Sequence, residues 1–167
     1  MPKPVLDLDY DPDRWILGPT DDKPFATWLP EATAEMVRRF DVPATNEPAI
    51  GAIEHTLTTV AQFEDMLSYV IVYWPDPATR PLPIYFGMEV RDDPSDAADW
   101  LAGIDLTTVE KPVVDDVDVD RDGVTLRRSL PYSTNDDGQV LVSARYVVDT
   151  SHPDLIVLAH TAAYQAA

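Results

Sequence analysis

Val124-Thr125-Leu126-Arg127-Arg128-Ser129-Leu130, the run from Val140 to Val148 and the run from Asp154 to Thr161 decide the fold of this chain. Between them stand Asn135-Asp136-Asp137-Gly138 and Asp149-Thr150-Ser151-His152-Pro153. Asn and Asp tolerate left-handed backbone, Gly needs no Cβ clearance and Pro cannot continue a ladder, so both groups turn the chain. The pattern predicts an antiparallel meander at the centre of a sheet.

Upstream of the meander, Val113-Val114-Asp115-Asp116-Val117-Asp118-Val119-Asp120 alternates valine with aspartate and runs into Asp122-Gly123. That is the pattern of an exposed or edge strand. Before it, Asp93-Pro94 opens a short helix, with Ala97, Trp100, Leu101 and Ile104 facing inward and Gly103 placed to stop it. Ile84 to Val90 reads as a strand returning from Met66 to Trp74, which is rich in β-branched and aromatic residues and apolar on both faces. Pro75, Pro77, Pro81 and Pro83 stiffen the loop between them.

Two helices precede these strands. Pro30 to Phe40 is expected to start at its proline, since a missing N–H is harmless in a first turn. Asn46 is the expected cap of the second, in which Ile50, Ile53, Leu57 and Val60 repeat at helical spacing to about Glu64, so that it should lie across a sheet with its opposite face, Glu54, Thr58 and Gln62, in water. Residues 1–24 read as an acidic N-terminal arm docked by Trp15, where a short extended piece can add an edge strand. Residues 25–167 read as a single α+β domain with a central antiparallel sheet of about six strands and helices packed on it.

The totals bound the function. The chain has 167 residues, near the size of one domain. Its 30 Asp and Glu against 12 Lys and Arg give a formal net charge of -18. Nucleic acid and anionic lipid are bound by Lys and Arg neutralising phosphate, so the composition argues against either as a direct partner. A basic protein partner is the specific reading of this charge, and solubility or high salt the plain one. No cysteine is present, which excludes disulfides, thiolate nucleophiles and Cys-ligated metal. No signal-like h-region or run of roughly 18 apolar residues is found, and a cytoplasmic protein is the expectation.

Local chemistry is sparse. Asp118, Asp120 and Asp122 with Gly123 resemble the opening of a calcium loop, in which alternate carboxylates converge on one hard cation. Ser129 stands where the bidentate Glu belongs, and the preferred reading is a solvated edge strand. His55, His152 and His160 have no metal spacing. No P-loop, nucleophile elbow or dinucleotide fingerprint occurs, so no cofactor is expected. An enzyme reading would need a site assembled around Glu89, Arg145 and His160. Arg127 and Arg145 can share a face of the meander with Ser143, joined by His160 in one of two registers, as a cationic strip for an anionic ligand or a partner's carboxylate. Trp74 and Tyr85 complete the candidate partner contacts, with Trp74 beside the proline-rich loop the first place to look.

The run Gly123 to Arg128, followed by Val142-Ser143-Ala144-Arg145-Tyr146-Val147-Val148 and Leu155 to Leu158, resembles the end of PsbP-type domains. That fold is shared by a photosystem II subunit and a Ran-binding nuclear import factor. The resemblance covers about the last third and implies an α/β/α sandwich around a central antiparallel sheet. It also implies protein binding, as assembly factor or secretion chaperone, with no catalytic residues to carry over. The sequence thus points to a non-catalytic protein-binding domain: an adaptor, a chaperone or an immunity-type partner of a basic client. A calcium module and an uncharacterised enzyme are the alternatives.

Overall fold

The computed structural model describes residues 8–62, 67, 69–90, 96–103, 106–119, 124–150 and 154–165. Three helices and ten strands follow in chain order. They are β1 (Trp15–Leu17), α1 (Phe25–Arg39), α2 (Glu47–Ala61), β2 (Tyr69–Tyr73), β3 (Leu82–Val90), α3 (Asp96–Ala102), β4 (Val114–Val117), β5 (Thr125–Ser129), β6 (Tyr132–Thr134), β7 (Val140–Val142), β8 (Arg145–Asp149), β9 (Leu155–Thr161) and β10 (Tyr164–Gln165). The fold is α+β, with a seven-stranded antiparallel sheet in the order β1-β2-β3-β9-β8-β5-β4 and a three-stranded sheet in the order β10-β7-β6. By contacts the chain divides into two compact units, Met1–Ile84 and Tyr85–Ala167, so the division falls within β3.

In the first unit, the residues expected to form an arm supply the edge strand β1, paired with β2 through Trp15↔Tyr73, Ile16↔Val72 and Leu17↔Ile71. The indole N–H of Trp28 donates to the Leu17 carbonyl at 2.7 Å and ties this edge to α1. α1 starts at Phe25, five residues earlier than its proline indicates. Pro24 supplies the extended entry, its carbonyl accepting from the Thr27 and Trp28 amides. The helix then passes through Pro30 with one ladder hydrogen bond fewer, because Pro30 has no N–H to offer the turn before it. At the other end Asp41 takes the left-handed conformation (φ 51°), and the Val42 amide bonds back to the Val37 carbonyl at 3.0 Å. This is a Schellman close with Asp in glycine's usual place.

α2 has the expected cap, Asn46 accepting from the Ala49 amide at 3.3 Å. Its buried residues are Ile53, Leu57 and Val60, and it packs on α1. The proline-rich loop after β2 leaves Trp74 in the core, where its indole N–H donates to the Thr79 carbonyl and its ring meets the edge of Phe40.

The second unit contains the expected meander, with a difference in the middle run. β5, β8 and β9 pair antiparallel in sequence. Val140 to Val148 is not one strand, however: it breaks at Ser143-Ala144 into β7, which belongs to the small sheet, and β8, which belongs to the large one. The break is held by the Ser143 amide on the Pro131 carbonyl and by reciprocal bonds joining Ala144 to Thr161. Asn135 to Gly138 is the turn from β6 to β7, with Gly138 at φ 72° and Asn135 Oδ1 accepting from the amides of Asp137 and Gln139.

Candidate functional site

The face of the meander expected to carry a cationic strip does bring Arg127, Arg145 and His160 together, whereas Ser143 stands in the break between β7 and β8. Register places Arg145 opposite both Ser129 and His160, and Arg127 opposite Val147, so all five side chains share one face. That face is covered within the unit by α3. The last-turn carbonyls of a helix have no partners of their own, and here the sheet supplies them. Ser129 Oγ donates to the Leu101 carbonyl at 2.7 Å, and Arg145 Nη1 to the Trp100 carbonyl at 2.9 Å. A cation at a helix C-terminus also meets the negative end of the dipole. The guanidinium carbon lies 4.3 Å from the Trp100 ring centroid, a cation–π contact. Gly103, at φ 66°, closes α3 where the sequence places its stop.

The result is a structural core. Arg145 is buried, and His160 lies between the Tyr85 and Trp100 rings, at centroid distances of 5.4 and 5.7 Å. Of the four candidate partner residues, Trp74, Tyr85 and Arg145 are therefore interior. Arg127 is half-buried and ion-paired with Asp149 at 3.1 Å. Glu89 is exposed on β3. Asp118 is exposed, while Asp120 and Asp122 lie outside the described residues. Among the described residues no group of carboxylates and histidines is gathered as a metal site.

The accessible chemistry is at the edge of the large sheet. β4 is its last strand, and among the described residues only β5 pairs with it, in the register Val114↔Ser129, Asp115↔Arg128, Asp116↔Arg127 and Val117↔Leu126. Val113 and Val114 are 75% and 47% exposed, high for β-branched residues, and Asp115, Asp116 and Asp118 stand in solvent beside them. Alternation puts Val114 and Asp116 on one face and Asp115 and Val117 on the other, so each face carries one apolar and one acidic side chain. Of the acids, Asp115 has a loose partner in Arg128, at 3.8 Å. The opposite outer strand, β1, has three residues and is followed by Gly18, whose amide is already bonded to the Val70 carbonyl at 2.8 Å.

The sequence marked this edge as solvated but placed partner contact on Trp74 and Tyr85. Position in the sheet, which a single strand's pattern does not display, buries Trp74 and Tyr85 and leaves Val113, Val114, Asp115, Asp116 and Asp118 exposed. Among the described residues no helix is long and apolar enough to cross a membrane. Comparison with protein-family models, with curated proteins and with solved structures finds no match to this chain.

Proposed function

We propose that the protein is a non-catalytic, cytoplasmic protein-binding domain that takes an extended basic segment of a client along the outer side of β4. The observation that carries this reading is the open acidic edge itself: a row of backbone donors and acceptors flanked by Val113, Val114, Asp115, Asp116 and Asp118. A strand added there gains main-chain hydrogen bonds, and its alternate side chains meet one valine and one aspartate on each face. A client strand alternating apolar residues with Lys or Arg fits both.

Charge selects among occupants. Two copies of this chain pairing edge to edge would set aspartates near aspartates, the device by which natural sheets avoid self-association. A basic strand meets the opposite sign, and the net charge of -18 raises its rate of encounter. The PsbP-type resemblance, which begins at Gly123 just after β4, supports a protein-binding role for the chain. Titration calorimetry with a ten-residue peptide alternating Lys and Val tests the reading. Binding is expected at low salt and should weaken as salt rises, and the Asp115→Asn, Asp116→Asn double variant should bind about fivefold or more weakly. No heat at low salt, or equal affinity for the double variant, contradicts it.

A further inference from the structure

Within the first unit, a cleft of about 430 Å³ lies between β1 and α1, lined by Trp15, by Trp28, itself only 3% exposed, and by Lys23, Glu31, Glu35 and Arg39. That volume is in the range of small-molecule sites. Its charged groups are not equivalent. Lys23 is paired with Glu31. The Glu35 carboxylate is taken up by Arg38, which donates through Nη2 to Oε1 at 2.6 Å and through Nε to Oε2 at 3.0 Å. The Arg38 hydrogen bond is the main cause holding the Glu35 carboxyl below its usual range; burial opposes it next, and the Arg38 charge and then Arg39 add to the lowering.

Arg39 is left under-compensated. Its side chain is 11% exposed, and Nη2 donates to the Pro12 carbonyl at 2.7 Å and only distantly to Glu35, at 3.4 Å. Nε and Nη1 are buried with no hydrogen-bond partner among the described residues. A guanidinium carries five N–H donors in a planar fork suited to a carboxylate, and a buried donor left unmade is destabilising. Both atoms are enclosed, so an acceptor reaches them only when the guanidinium turns into the cleft it lines, exchanging the Pro12 and Glu35 contacts of Nη2 for the acceptor.

We propose that this cleft binds a small aromatic carboxylic acid, its carboxylate taken by Arg39 and its ring held against Trp15 and Trp28. A neutral or cationic analogue leaves the guanidinium unpaired. The acid meets it with charge-assisted, two-point geometry.

The test uses indole-3-acetate as probe, with its neutral amide and tryptamine as controls, followed by ligand-observed NMR saturation transfer and titration of the protein amides. Saturable binding of the acid is expected, with amide shifts confined to β1 and α1, and about tenfold or more weaker binding of the uncharged amide. Arg39→Met should abolish the preference for the acid. Glu35→Gln, which removes the competing carboxylate and keeps its shape, should tighten the acid several-fold. Should Arg39→Met fail to fold, the acid-against-amide ratio on the unaltered chain and the Glu35→Gln response decide the matter. No saturable binding, equal affinity for acid and amide, or shifts lying elsewhere overturn the proposal and leave the unmade Arg39 donors to ordered water.

Discussion

The guanidinium of Arg145 lies 4.3 Å from the centroid of the Trp100 ring and donates through Nη1 to the Trp100 carbonyl at 2.9 Å. One β8 side chain thereby grips both the backbone end and the ring of a helix only seven residues long, too short to hold its own last turn. Arg145→Ala should destabilise the protein by about 2–4 kcal/mol, because a charge-assisted hydrogen bond, a desolvated cation–π contact and packing are lost together. Arg127→Ala, on the same face but half-exposed and paired with Asp149, should change stability by under about 1 kcal/mol. Urea unfolding of the two variants checks the contrast, and equal losses would mean that α3 is not held through Arg145.

Two glycines should respond differently to alanine. At Gly18 an added Cβ would collide with the Val70 side chain and come 2.9 Å from the Val70 carbonyl oxygen, which is backbone held in the β1–β2 region. Gly18→Ala is expected to destabilise by about 2 kcal/mol or more and to lower hydrogen-exchange protection in β1. At Gly103 the nearest atom is the Thr108 methyl at 3.3 Å, so the strain there is chiefly that of an alanine at φ 66°. Gly103→Ala should therefore be milder, about 1–2 kcal/mol. Thermal unfolding ranks the two.

Glu35 gives a pH-dependent prediction. Its carboxyl is held below the ordinary range, first by the Arg38 hydrogen bond. A depressed carboxylate contributes stability that is present above its unfolded pKa and is lost as pH falls through its folded pKa. Glu35→Gln should accordingly be less stable than the unaltered chain at neutral pH, with the difference closing below the ordinary carboxylate range. Because this side chain is 36% exposed, solvent screening keeps the effect at about 0.5 kcal/mol. Unfolding curves at neutral and acidic pH measure it, and a gap that widens in acid would contradict the assignment.

Trp28 is expected to anchor β1 through its N–H. Trp28→Phe keeps most of the ring and removes the 2.7 Å bond to the Leu17 carbonyl, at a cost of about 1 kcal/mol. Loss of exchange protection in Trp15–Leu17 should accompany it, whereas an even loss across the chain would locate the role of Trp28 in packing alone.

Much of the fold was legible because it rests on local rules. Asn46 caps, Gly103 stops, Asn135 to Gly138 turns, and the runs around Leu126, Val147 and Leu158 pair in the expected order. What escaped depends on partners distant in sequence. Nothing between Val140 and Val148 signals a break, since Ser143 and Ala144 leave the strand through bonds to Pro131 and Thr161. The large sheet has seven strands where about six are expected, because residues 15–17 add β1, and the break sends β7 into a second sheet with β6 and β10. Arg145 reads as a surface cation because the acceptor that buries it is a helix-end carbonyl, which has no letter of its own in the sequence. The unmade donors that mark Arg39 emerge only once Pro12 and Glu35 are placed around it.

The edge of β4 is tested most directly by separating backbone pairing from charge. Two peptides of one sequence alternating Lys and Val, one unmodified and one N-methylated at every second residue along the edge that would face β4, carry the same charge but differ in main-chain donors. Titrated at low salt, the unmodified peptide should bind, protect the Val114–Val117 amides from exchange and weaken with salt. The methylated one should bind about tenfold or more weakly. Equal binding of both, or protection that misses β4, would contradict strand addition and reduce the acidic edge to a solubilising surface.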